Sequence, residues 1–137
     1  MFRHIMIPVD LAHADRLTKA VDVAAAIAGS SGARLLVVGV TANTPTAIAH
    51  NPEEFGRKLR EWASGQGARL GLAIEAKTVT SHDPAVDLDA TLERQIEEER
   101  IDLVVMASHV PGFADYLRTA NAIDLAAHTD TSVFIVR

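Results

Sequence analysis

Five short apolar runs punctuate the chain, and stretches with helical spacing lie between them. His4 to Val9 is near-continuously apolar and of strand length, so it predicts a buried strand. Asp10 to Asp15 is polar and loop-like. Leu17, Ala20, Val21, Ala24, Ile27 and Ala28 then recur on one helical face, and Gly29-Ser-Ser-Gly32 stops that helix. Arg34 to Val40 is a second apolar strand, followed by a loop over Thr41 to His50. Asn51 and Pro52 supply an N-cap and a first-turn proline. Phe55, Leu59 and Trp62 form the stripe of a second helix, and Gly65 and Gly67 are expected to end it.

Leu70 to Thr80 predicts a third strand. Its alternation (Leu72, Ile74, Ala76, Thr78) and greater polarity suit a sheet edge. Asp83-Pro84 opens a third helix with the stripe Ala85, Leu88, Leu92 and Ile96. The run Glu97 to Arg100 at its end reads as a solvated face. Ile101 to Met106 predicts strand four, Thr119 to His128 a last helix, and Val133 to Val136 strand five.

Strands alternating with helices imply right-handed crossovers and a parallel sheet. Runs of Val, Leu and Ile without alternation imply that helices cover both faces. The expected fold class is therefore α/β: a single-domain, open, doubly wound, five-stranded parallel sheet with strand one central and strand three at an edge. With 137 residues, one domain over residues 1–137 accommodates the pattern.

Composition narrows the function classes. The net charge of −5 opposes nucleic-acid binding, which needs a clustered basic surface. No Cys is present, so disulfides and thiolate chemistry are excluded. The six His residues show no H-x-x-H or HExxH spacing, so no metal ligand is assigned. The first apolar run is too short for a signal-peptide core, and no run approaches the length of a membrane span. A cytoplasmic location is expected.

Ligands of open α/β sheets bind beyond the carboxyl ends of the strands, so the loops there carry the chemistry. Val9-Asp10-Leu-Ala-His-Ala after strand one contains no glycine, which excludes both GxxxxGK[ST] and GxGxxG. Read from the chain alone, Asp10 is a helix N-cap or a loop carboxylate, and Pro8, Val9, Val40 and Met106 are core. His109, just past strand four, and His13 could face each other across the crevice. Ser108 lacks a G-x-S-x-G elbow and is no nucleophile.

Several segments together resemble the universal stress protein family. They are Ile5-Met-Ile-Pro-Val-Asp10, Gly32 to Val40, Asp83-Pro-Ala, Asp102-Leu-Val-Val-Met-Ala-Ser-His109, and His128 to Arg137. The resemblance implies the strand order 3-2-1-4-5 and a homodimer. It also implies, in some members, ATP bound between strands one and four. By that resemblance Asp10 reaches the nucleotide, Val40 offers an adenine-side backbone contact, and Pro8, Val9 and Met106 form apolar walls. ATP-binding members carry G-x-x-G, nine residues, then G-[ST]. Here those positions fall on Ala107, Val110, Ala120 and Asn121; counted back from His128, the last pair falls on Thr119 and Ala120. Backbone N–H groups that wrap phosphates need glycine, and Val110 tolerates positive φ worst.

The expected site is thus Pro8, Val9, Asp10, Val40, Met106, Ala107, Ser108, His109, Val110, Ala120 and Asn121, with no catalytic residue. The first expectation is a homodimeric stress-response module with a degenerate nucleotide loop. The alternative is an ATP- or AMP-binding switch or slow ATPase, with Mg2+ accompanying a triphosphate. The apolar strand Val133, Phe134, Ile135 and Val136 is the expected dimer edge.

Overall fold

The computed structural model describes residues 1–108, 127 and 129–137. Five parallel strands form one sheet in the order β3-β2-β1-β4-β5. The strands are β1 (His4–Val9), β2 (Arg34–Ala42), β3 (Ile74–Ser81), β4 (Leu103–Ala107) and β5 (Ser132–Val136). The helices are α1 (Thr18–Ser31), α2 (Pro52–Leu70) and α3 (Pro84–Glu98), and a 3-10 helix covers Leu11–Leu17. The expected order and the central place of β1 are both observed. The helix expected over Thr119 to His128 lies outside the described residues, residue 127 excepted.

Strand alternation sends side chains to two separate cores. Ile5, Ile7, Val9, Leu35, Val37, Leu103 and Val105 pack with Val21, Ala24, Phe55, Leu59 and Ala63 of α1 and α2. Met6, Leu36, Val38, Val104 and Met106 pack on the opposite face with Leu88, Leu92 and Ile96 of α3. Double burial explains why β1, β2 and β4 read as continuous apolar runs instead of alternating ones.

Four expectations need correction. Asp10 to Asp15 is not an irregular loop, because the 3-10 helix begins directly after Asp10. Helix α2 runs through Gly65 and Gly67 and ends at Leu70, with Gly71 in the left-handed conformation at φ 69°. Gly67 serves that ending differently. It accepts the Leu72 amide (3.0 Å), and a Cβ there would lie 2.5 Å from the Leu72 carbonyl oxygen. Strand β3 consequently starts at Ile74, not Leu70. Nor is the Glu97–Arg100 run entirely free: Glu99 binds Lys77 of β3 at 2.6 Å, which holds its carboxyl below the usual range.

One feature of β1 shapes the site. Its ladder to β2 runs from His4↔Arg34 to Val9↔Gly39, whereas its ladder to β4 contains only Ile5↔Leu103 and Met6↔Val104. The carbonyl of Arg3 accepts from Arg34 on the β2 side, and that of His4 accepts from Asp102 on the β4 side. By alternation Pro8 faces β4. Its missing N–H therefore costs no bond to β2 and ends the pairing with β4.

Candidate functional site

Beyond Met6 and Val104 the two central strands are no longer paired, at the point where the strand order reverses. That is the usual ligand position of an open α/β sheet. Pro8 and Val9 are buried at the end of β1. Met106 is buried and Ala107 half-buried at the end of β4, while Val40 is half-buried near the end of β2. These residues divide between the faces. Val9 and Ala107 belong to the α1/α2 side, and Val40 and Met106 to the α3 side. His109, Val110, Ala120 and Asn121 lie outside the described residues.

Asp10 is the acid at the crevice and also an N-cap. Its Oδ1 accepts the Ala12 amide at 3.0 Å, as an N-cap carboxylate does. Its Oδ2 pairs with His13 Nδ1 at 2.9 Å, and its carbonyl accepts the His13 amide at 3.0 Å. His13 breaks the run of helical dihedrals, at φ −128° and ψ 30°. His13 is thus placed against Asp10. The D-x-x-H spacing was visible in the sequence, but the bond between its ends was not foreseen.

On the β4 side, the Ser108 amide donates to the Val136 carbonyl at 2.8 Å and extends the β4–β5 ladder. The Ser108 hydroxyl is buried and has no hydrogen-bond partner among the described residues. A buried polar group of this kind costs free energy unless something else pairs with it.

The β2–α2 connection beyond Val40 is tied down. Thr46 accepts from the amides of Ile48 and Ala49, and Lys58 donates to the Ile48 carbonyl. Asn51 caps α2 through the Glu54 amide at 2.8 Å. Glu54 in turn accepts the His50 amide at 2.8 Å and pairs with the His50 ring at 3.0 Å. The backbone amide, then the ring, lower the Glu54 carboxyl to a pKa of about 2.

An open groove of about 810 Å3 runs between α2 and β3, past Arg60, Gly67 and Ile74. Among the described residues, no cluster of three or more His, Cys, Asp or Glu side chains could hold a metal ion.

The chain is similar to known proteins over its whole length. The model of the universal stress protein family matches residues 1–137. No curated protein matches. Among solved structures, a universal stress protein in complex with cAMP is 22% identical, with 99% of this chain and 97% of that chain covered and a TM-score of 0.68. A universal stress protein family member from Burkholderia pseudomallei is 24% identical over 97% of this chain and 94% of its own, with a TM-score of 0.66. The universal stress protein from Archaeoglobus fulgidus in complex with dAMP is 18% identical over 98% of both chains, with a TM-score of 0.61.

Proposed function

This chain belongs to the universal stress protein family, and we propose that it is a homodimeric, cytoplasmic stress-response module whose β1–β4 crevice binds a small adenine nucleotide. The observation that carries the nucleotide reading is the parting of the central strands after Met6 and Val104. The ladder ends there, and near these strand ends stand Asp10 and the Ser108 hydroxyl, which has no hydrogen-bond partner among the described residues. Two similar structures hold cAMP and dAMP.

In this reading Val40 contacts the adenine through its backbone. Pro8, Val9 and Met106 form apolar walls, and Asp10 accepts hydrogen bonds from the nucleoside. Ala107, Ser108, His109, Val110, Ala120 and Asn121 border the phosphates. None of these six is glycine, so the backbone cannot wrap a polyphosphate closely. Each missing amide contact to a charged phosphate forfeits about 1.5–3 kcal/mol. AMP is therefore the better ligand, and ATP with Mg2+ gains nothing from its extra phosphates.

Strand β5 supports the dimer. Among the described residues it pairs with β4 alone, and Phe134 and Ile135 are 45% and 40% exposed. An apolar edge strand invites a second copy. Val133 and Val136, the other apolar residues of the strand, pack inward instead, Val133 half-buried and Val136 buried. Among the described residues, no helix is long and apolar enough to cross a membrane.

Calorimetry decides between the nucleotides. AMP should bind more tightly than ATP with Mg2+. Low-micromolar ATP binding that exceeds AMP binding would replace this reading with an ATP-dependent switch.

A further inference from the structure

We propose that His13 is a positioning residue of the crevice, holding the Asp10 carboxylate in the orientation in which it meets the ligand. The inference rests on the nucleotide reading of that crevice and adds a residue to it.

An N-cap requires one side-chain acceptor for one orphan amide. The N-cap bond is complete with Oδ1 on the Ala12 amide at 3.0 Å. A cap needs nothing at Oδ2. Here Oδ2 is taken by His13 Nδ1 at 2.9 Å, and the chain leaves helical geometry at His13 alone within Leu11–Leu17. With one bond on each oxygen, the carboxylate can no longer rotate about its Cβ–Cγ bond. Each carboxylate oxygen accepts two hydrogen bonds. One acceptor place on each oxygen therefore stays open for a ligand hydroxyl or amino group.

The bond also fixes the imidazole. A carboxylate only accepts, so the proton of the neutral ring must sit on Nδ1 and Nε2 must be bare. Asp10 and His13 are partly exposed, at 23% and 33% of their side chains. The pair is therefore reachable from solvent, as a recognition group must be, and is not sealed in the core. Preorganisation of this kind contributes affinity because the ligand does not have to order the carboxylate itself.

The test uses the full chain and two readouts. The first is the 15N spectrum of the His13 ring without ligand. The proposal predicts a protonated Nδ1 in the neutral ring, and loss of that signature in Asp10→Asn. A ring protonated on Nε2 overturns it. The second is calorimetry with AMP on two variants. Asn places its Nδ2 where His places Nδ1, so His13→Asn retains the donor, whereas His13→Leu removes it. His13→Leu should bind AMP about tenfold more weakly, the loss of one net hydrogen bond, and His13→Asn should recover most of that loss. Wild-type affinity in His13→Leu, or equal weakening in both variants, overturns the positioning role and leaves the nucleotide reading standing. If the wild type binds no AMP, the nucleotide reading falls, and the ligand role of His13 with it; the ring spectrum then decides the Asp10–His13 contact alone.

Discussion

Arg100 closes α3 with φ at 53°, a conformation that suits glycine and costs any side-chain-bearing residue. It is held there because the turn delivers the Ile101 amide to the Ile96 carbonyl at 2.9 Å. Arg100→Gly removes the strain at some entropic cost. It should raise stability by about 0.5–1 kcal/mol, seen as a higher melting temperature. Glu54 gives a second residue-scale expectation. Its carboxyl is lowered from 4.5 to about 2 in the folded protein. The unfolded chain thus takes up that proton first as pH falls, and the stabilisation present above pH 4.5 is lost towards pH 2. Glu54→Gln should flatten the loss of stability across that window in acid titrations of the melt.

The same residues show what a sequence can and cannot disclose. Asn51 before Pro52 announced its cap because the requirement is local. For Asp10, cap and ligand acid were equally open readings, and the observed cap leaves the ligand role to be tested. His13 was placed in the right loop. Its partner was not foreseen, because a bond across three residues depends on one non-helical dihedral pair at His13 itself.

Among elements, the doubly buried strands were the most legible, since both of their faces demand apolar side chains. Strand β3 was legible as an edge for the opposite reason. The end of α2 was misplaced because Gly65 and Gly67 look like breakers. Burial of the Phe55, Leu59 and Ala63 face carries the helix through them, and the reversal is made by Gly71. Gly39 sits inside an apolar strand with nothing in its pattern to mark it, yet it sets how closely α2 lies on β2. A Cβ there would stand 2.7 Å from Phe55 Cε1 and 3.0 Å from Leu59 Cδ2. Gly39→Ala should cost about 1–3 kcal/mol by denaturant titration. Adding Phe55→Leu should return part of that loss as a coupling between the two sites. A neutral Gly39→Ala would show that α2 is not seated as described.

For the whole molecule, the strand order places β1 at the centre and β3 and β5 at the edges. One edge is marked by charge, with Glu75 paired to Arg34 and Lys77 to Glu99. The other edge presents Phe134 and Ile135. Charged edges resist pairing and apolar edges invite it, so β5 is the expected two-fold interface. Light scattering at tens of micromolar should give a dimer for the wild type and a monomer for Phe134→Glu. A monomeric wild type would contradict this assembly.

If the end of the β1–β4 ladder makes a nucleotide site, amide chemical-shift mapping with AMP will locate it, because such mapping reports position as well as binding. Saturable shifts are expected at Val9, Asp10, Val40, Ala107 and Ser108, with β3 and the α2–β3 groove unmoved. No shifts at millimolar AMP, or shifts centred on Arg60 and Ile74 in that groove, would rule the site out.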